Sequence, residues 1–203
     1  MYDSPNYPTD PKAVANFVRE AEYGTLVATG ASGWPQVTIV PFVIDDLTIW
    51  VHCVQEDPTY KALTQTDRCT FFISDFLAFT PHDWVDTRNA ARATLNFRAV
   101  AYECTAEVFT APSTVAEVLR KTLDRYEPAK DYEPVEDSDF YGPRLRRLAA
   151  VRMQVVKVHA KFKVGPYGPP ALKSHVADQL QKRSRPGDQR AAEVISRYAL
   201  GEV

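Results

Sequence analysis

The sequence predicts a mainly-β fold with helices, an antiparallel barrel decorated by helical segments. Three observations predict it. Six or so short strand-like runs are joined by local turns, as in hairpins. Three or four amphipathic segments interrupt or follow those runs instead of alternating with each of them, which argues against βαβ units and a parallel sheet. No glycine-rich loop of the dinucleotide or P-loop type is present, so any phosphate must be held by side chains and strand-end amides. The chain has 203 residues, 45% of them hydrophobic, enough for one domain with a real core. Its parts are read as an N-terminal helix (1–23), a barrel with an inserted helix (24–164) and C-terminal helices (165–203).

Each element has a local reason. "TDPKAVANFVREAEYG" opens a helix, with Asp10 as cap and Pro11 in the first turn. Ala13, Phe17, Val18 and Ala21 make its apolar face, and Gly24 ends it. "GTLVATG" is a strand and "ASG" a turn. "WPQVTIVPFVID" and "LTIWVHCV" read as two strands joined at Asp45-Asp46. Asp57 before Pro58 starts a short helix reaching about Thr64. "CTFFISDF" is a strand, and "LAFTPHDWVDTRNA" reads as a loop with a stub of strand. "RATLNFRAVAYECTAEVFT" is long enough to bend or to serve two sheets. "STVAEVLRKTLDRYE" is an amphipathic helix with Val115, Val118, Leu119 and Leu123 on one side. The acidic stretch "PAKDYEPVEDSDFYGP" reads as an exposed loop that buries little. "AAVRMQVVKVHAKFKVG" is the last strand. Two helices separated by "SRPGD" follow, with Asp188 the expected cap of the second.

Composition narrows the function. A formal net charge of −2 gives no global signature for nucleic acid or anionic membrane. The three cysteines, Cys53, Cys69 and Cys104, sit in apolar strand-like runs and read as buried thiols of a reducing compartment. No Cys or His spacing resembles a zinc site. The N-terminus lacks the pattern of a signal peptide, and no apolar run approaches the roughly 18 residues of a membrane span. These features point to a cytoplasmic protein. No nucleophile elbow or defensible acid–base pair is visible.

Binding signals are better. His52 ends a strand, and Lys61 lies in the helix that begins a few residues later. A strand end, a helix start and a cation together suit a phosphate; a surface histidine and a solvated lysine give the same pattern. Trp84, with Thr80 and Pro81, either walls a flat aromatic ligand or caps the barrel. Asn96 sits in mid-strand, where asparagine has poor β propensity, so once buried it needs partners from a loop, another subunit or a ligand.

Five blocks of the chain, in order, resemble the PaiB-like family of FMN-binding negative transcriptional regulators. Thr38, Pro41 and Phe42 match a "T-H-L-P-F" strand, and His52 and Pro58 match "G-H-x-A-R-x-N-P", with Asp57 at the asparagine position. Thr80, Pro81 and Trp84 match "S-P-S-W-Y". Thr94, Asn96 and Phe97 match "P-T-W-N-Y", and Lys161, Phe162 and Lys163 match "G-K-F-K-L". Gln55 stands where the family has arginine, Val51 where it has glycine and Leu95 where it has tryptophan. The resemblance covers roughly residues 24–164. It implies a six-stranded Greek-key split barrel that forms a two-fold homodimer, with FMN in a groove at the dimer interface. It also implies that Thr38, Ile39, Val40 and Pro41 present backbone to the isoalloxazine ring. His52 and Lys61 would face the phosphate, and Thr80, Trp84 and Asn96 would complete the cofactor site. Three functions follow: a flavoprotein with FMN-dependent redox activity, a DNA-associated repressor without enzymatic activity, or a degenerate barrel that no longer binds flavin. DNA is suggested by the family alone, since the best basic stretch, "KRSRPGDQR", also reads as a solvated helix linker.

Overall fold

The computed structural model describes residue 1 and residues 5–201. Among them are seven strands: β1 (Gly24–Thr29), β2 (Pro35–Val40), β3 (Val43–Asp45), β4 (Thr48–Val54), β5 (Arg68–Thr80), β6 (Thr94–Phe109) and β7 (Leu148–Lys163). The helices are α1 (Pro11–Glu20), α2 (Pro58–Leu63), α3 (Pro112–Tyr126), α4 (Gly142–Leu145), α5 (Pro170–Arg183) and α6 (Asp188–Leu200). The strands form one sheet in the order β2-β1-β5-β6-β7-β4-β3. The pairs β1–β2, β1–β5, β3–β4 and β4–β7 are antiparallel. No helix among the described residues is long and apolar enough to cross a membrane.

The sequence suggests about six strands and the structure has seven, because "WPQVTIVPFVID" is two. β2 pairs with β1 as far as Val40, opposite Gly24. β3 begins at Val43 and pairs with β4. Pro41 has no N–H to give a ladder, and the chain changes partners there. β2 and β3 are the two edges of the sheet, so the edges meet at a seam two residues wide, Pro41-Phe42. This is the arrangement of a split barrel.

Phe42 fills the seam. Its ring is fully buried and meets Phe71 edge-on at 5.2 Å. Its backbone leaves both ladders, and one side chain satisfies it. The Tyr126 hydroxyl accepts from Phe42 N at 3.2 Å and donates to Phe42 O at 3.1 Å. Tyr126 closes α3, whose apolar stripe therefore runs one turn beyond Leu123. Next to it, Arg125 lays its guanidinium over the Phe42 ring at 4.4 Å and donates to Ala21 O. Gly24 is required beside this cluster, because a Cβ there would lie 2.2 Å from Phe71 Cζ.

The chain forms two compact units: residues 21–73 with 101–158, and residues 1–20 with 74–100 and 159–203. Each unit is discontinuous in sequence. In the first unit α3 packs Val115, Ala116 and Val118 with Leu145 of α4 and Ala150 of β7. Val135 joins this cluster at 4% exposure, and its carbonyl accepts from Arg120. The acidic stretch is therefore pinned at Val135, with Tyr132 and Tyr141 packed against the same cluster, and is not free throughout.

In the second unit β5 runs on to Thr80, extending through the strand stub of the expected loop, and two 3-10 turns follow at His82–Trp84 and Ala90–Arg92. Phe17 of α1 meets Phe162 of β7 edge-on at 5.2 Å. α5 and α6 bury Val176, Ala177, Leu180, Ala191, Ala192 and Ile195. The cap of α6 is Gly187 in the left-handed conformation, φ 87°. Asp188, expected in that role, is the first helical residue instead. It is buried and receives Arg183 through Nη2 at 2.6 Å and Nε at 2.8 Å, plus Arg185 N at 2.9 Å. Asp75 of β5 holds Arg98 of β6 at 2.8 Å and a two-pronged Arg190 of α6 at 2.7 and 2.8 Å.

Tyr126→Phe keeps the ring and removes the hydroxyl, leaving the part-buried N–H and C=O of Phe42 without a partner. Urea denaturation is expected to show a loss of about 1–3 kcal/mol with an unchanged slope.

Candidate functional site

The candidate site residues divide between the two units. Thr38, Ile39, Val40, Pro41, His52 and Lys61 belong to the first. Register fixes how β2 presents its side chains. Val40 lies opposite Gly24 and Thr38 opposite Leu26, both on the core side, and Val40 is buried. Val37 and Ile39 point the other way, opposite Val27 and Thr25. Opposed residues share a face of the sheet, and Thr70 and Phe72 continue these rows on β5. The outer face of β2 is thus apolar and open, with Val37 62% and Ile39 68% exposed. Along the neighbouring strands runs a groove of about 530 Å³, bordered by Val27, Thr29, Arg68, Thr70, Thr105 and Val156. That is within the range of small-molecule sites, roughly 300–1,000 Å³.

His52 lies directly opposite Ala150, a member of the α3 cluster, so it looks toward that helix together with Trp50. It is half-buried, and its Nδ1 is buried with no hydrogen-bond partner. Burial alone lowers its pKa below the ordinary 6.5, and no charged neighbour contributes. Lys61 is exposed on α2, which packs against β1 and β2. Its ammonium has no ion pair or hydrogen bond among the described residues.

The start of α2 offers an anion less than the sequence suggests. Pro58 has no N–H, and the Asp57 carboxylate takes the N–H of Thr59 at 2.7 Å. The carboxylate thus takes the amide an anion would use at the helix start, which leaves Lys61 as the cation of α2. Gln55, at the family's arginine position, is also committed elsewhere: its Nε2 donates to Arg146 O at 3.1 Å and Leu148 O at 2.9 Å. It clamps the chain entering β7.

In the second unit Asn96 is wholly buried on β6. Its Nδ2 donates to Ala78 O at 3.0 Å and Thr80 Oγ1 at 2.8 Å. Of the alternatives its position raised, the partners are internal ones. The pair braces the end of β5, where Leu77 and Ala78 are both buried and strict alternation lapses. Asn96 Oδ1 and Thr94 Oγ1 remain buried without partners. Trp84 is half-buried, with the Arg183 guanidinium over its ring at 5.1 Å. Arg183 in turn donates to Phe79 O at 3.0 Å. One face of the indole is thus covered by the chain itself.

Sequence reading missed Tyr126 and Arg68. Tyr126 continues the 3.6-residue stripe of α3, which is a readable signal. Arg68 is exposed at the head of β5 and shares a face with Thr70, but nothing in its neighbours marks a groove.

The fold and this open strand face define a flavin-type split barrel, and comparison with known proteins agrees. Residues 1–164 match the family described as "Putative FMN-binding domain", and the chain belongs to that family. It is 23% identical over 194 residues to "Protease synthase and sporulation protein PAI 2" of Bacillus subtilis (strain 168), covering 92% of each chain. Among solved structures the fold matches the flavocytochrome Anf3 of Azotobacter vinelandii. There the TM-score is 0.64 and the identity 19%, over 81% of this chain and 73% of that one. It also matches an FAD- and heme-binding protein of Mycobacterium smegmatis with TM-score 0.64 and 15% identity, over 82% and 78% of the two chains.

His52 makes stability depend on pH. Its folded pKa lies below 6.5, so between the two values the unfolded chain binds more protons and stability falls as pH falls. The loss begins near the unfolded pKa and levels off below the folded one. Denaturation midpoints of wild type and His52→Gln, compared at pH 8 and pH 5, are expected to show a larger acid loss in the wild type.

Proposed function

We propose that this chain is an FMN-binding flavoprotein that works as a homodimer, with the cofactor along the β2 side of the first unit. The observation that carries this is the open outer face of β2, with Val37 and Ile39 largely exposed in a chain of the FMN-binding family. The donor set suits the cofactor. Main chain at Thr38–Pro41 faces the isoalloxazine ring, where Pro41 already lacks the N–H a ladder would use. Lys61, unpaired on the helix that packs against β2, holds the phosphate. His52 is neutral at pH 7 and contributes a hydrogen bond rather than a charge. Thr80, Trp84 and Asn96 shape the surface of the other unit. FMN, when bound, supplies one- and two-electron transfer chemistry, and the chain supplies placement and electrostatics.

The homodimer is supported by the same apolar face, since a monomer leaves Val37 and Ile39 in water. The name of the Bacillus subtilis relative concerns protease synthesis and sporulation, which is compatible with a regulatory role. The basic stretch from Lys182 to Arg190 lends DNA binding little support. Arg183 is paired with Asp188 and Arg190 with Asp75, which leaves Lys182 and Arg185 as its cations without an ion pair among the described residues.

FMN titration followed by flavin fluorescence quenching tests the cofactor and its orientation. Lys61→Ala removes a charge-assisted bond of about 1.5–3 kcal/mol, so the dissociation constant is expected to rise roughly 10- to 150-fold. Arg68→Ala is expected to change it less than about threefold. The reverse pattern moves the phosphate to the groove, and a wild type that leaves free flavin unquenched overturns the reading.

Sedimentation at micromolar concentration tests the dimer, whose interface should exceed the standard size of roughly 1,600 Å². A monomer there overturns it.

A further inference from the structure

Two of the three cysteines face each other across adjacent strands. β5 and β6 are neighbours in the sheet, and Ala106 N donates to Asp67 O at 2.6 Å. Opposed residues in an antiparallel ladder keep a constant sum of numbers, so this bond sets Cys69 directly opposite Cys104. A hydrogen-bonded pair of this kind has its Cα atoms about 5.5 Å apart, inside the span a disulfide bridges. Cys69 lies opposite Ala28 on the core face of the sheet, behind the strands that form the 530 Å³ groove, and both cysteines are free thiols with 8% and 4% exposure. Cys53 is equally buried, at 8%, but has no sulfur partner.

We propose that Cys69 and Cys104 form a reversible dithiol–disulfide pair that reacts with small hydroperoxides. The inference stands apart from the flavin reading. A hydroperoxide is the fitting oxidant because it is small and uncharged. A bulky disulfide such as oxidised glutathione cannot reach sulfurs so nearly covered.

The electronic setting agrees with the geometry. The Cys104 thiol donates to Tyr102 O at 3.7 Å, and its neighbours Cys69 and the backbone of Phe71 keep it below its ordinary value despite burial. Cys69 is pushed up by the neighbouring Cys104 and by burial. Cys104 is therefore the attacking sulfur and Cys69 the resolving one.

The Cys104 thiolate attacks the terminal oxygen of the hydroperoxide. The O–O bond breaks, and the alkoxide leaves as an alcohol after taking a proton. Cys104 is then a sulfenic acid. The Cys69 sulfur displaces its hydroxyl, an S–S bond forms, and water departs with the proton of Cys69. Two thiols lose two electrons, and one hydroperoxide becomes one alcohol and one water.

The test is intact-mass and peptide-mass analysis of the folded chain after graded hydrogen peroxide, with alkylation under unfolding conditions. The wild type is expected to lose two hydrogens and to yield a peptide pair joined through Cys69 and Cys104. Cys53, with its thiol pushed up to about 12, should remain alkylatable and react at least about tenfold more slowly. Cys69→Ser should halt at a sulfenic acid on Cys104 that dimedone traps, and Cys69→Ala should do the same if serine impairs folding. Cys104→Ala should form no disulfide. If Cys69 and Cys104 stay alkylatable while Cys53 oxidises as fast, or if Cys69→Ser and Cys69→Ala trap nothing on Cys104, the proposal is overturned.

Discussion

The rest of the first unit depends on how the chain passes from one sheet edge to the other at Phe42. A sheet whose edges are consecutive in sequence must leave both ladders at the point where they meet. A buried residue there keeps a donor and an acceptor that neither edge can satisfy. The Tyr126 hydroxyl, able to donate and accept at once, is the smallest single group that answers both needs. Its placement at the end of α3 makes that helix part of the barrel closure. α3 in turn organises Leu145, Val135 and Ala150 on the face that His52 approaches.

Much of the fold was legible because it is written in local patterns. Asp10-Pro11, Asp57-Pro58, the Asp45-Asp46 turn and the long apolar run before Phe109 each carry their own physical reason. Less legible was anything set by long-range pairing. Pro41 shows that a strand gives up one hydrogen bond, but not that the strand then changes partners. Val135 sits in an acidic, proline-bearing stretch, and only the helix it packs against shows that it is an anchor. Asp188 looks like a cap from its neighbours alone. Its actual partner is the fork of Arg183, and the cap falls to the glycine before it.

The candidate site was partly legible. Thr38 to Pro41 were indicated by the family resemblance of their strand, and Lys61 by its place in a helix that follows a strand end. Gln55 could not be judged, because the carbonyls of Arg146 and Leu148 that occupy it come from far along the chain. Asn96 illustrates the same limit from the other side. Its poor β propensity marks it as purposeful, and the structure makes that purpose internal bracing of Thr80 and Ala78. Trp84 likewise has one face committed to Arg183.

Asp75 has a consequence for how the C-terminal helices are held. Burial works to raise its pKa, but Arg190 and Arg98 together outweigh that and keep the carboxyl below its ordinary value. The Arg98 contact joins neighbouring strands and is nearly covered, whereas the Arg190 side chain is half in solvent. An ion pair with one partner in solvent contributes about 0–1 kcal/mol and is weakened by salt. The attachment of α6 therefore has two parts with different sensitivities. Ala191, Ala192 and Ile195 supply adhesion that salt leaves intact, and Arg190 supplies the rotational setting of the helix on a carboxylate already held in place. Raising ionic strength thus weakens the setting before it touches the adhesion.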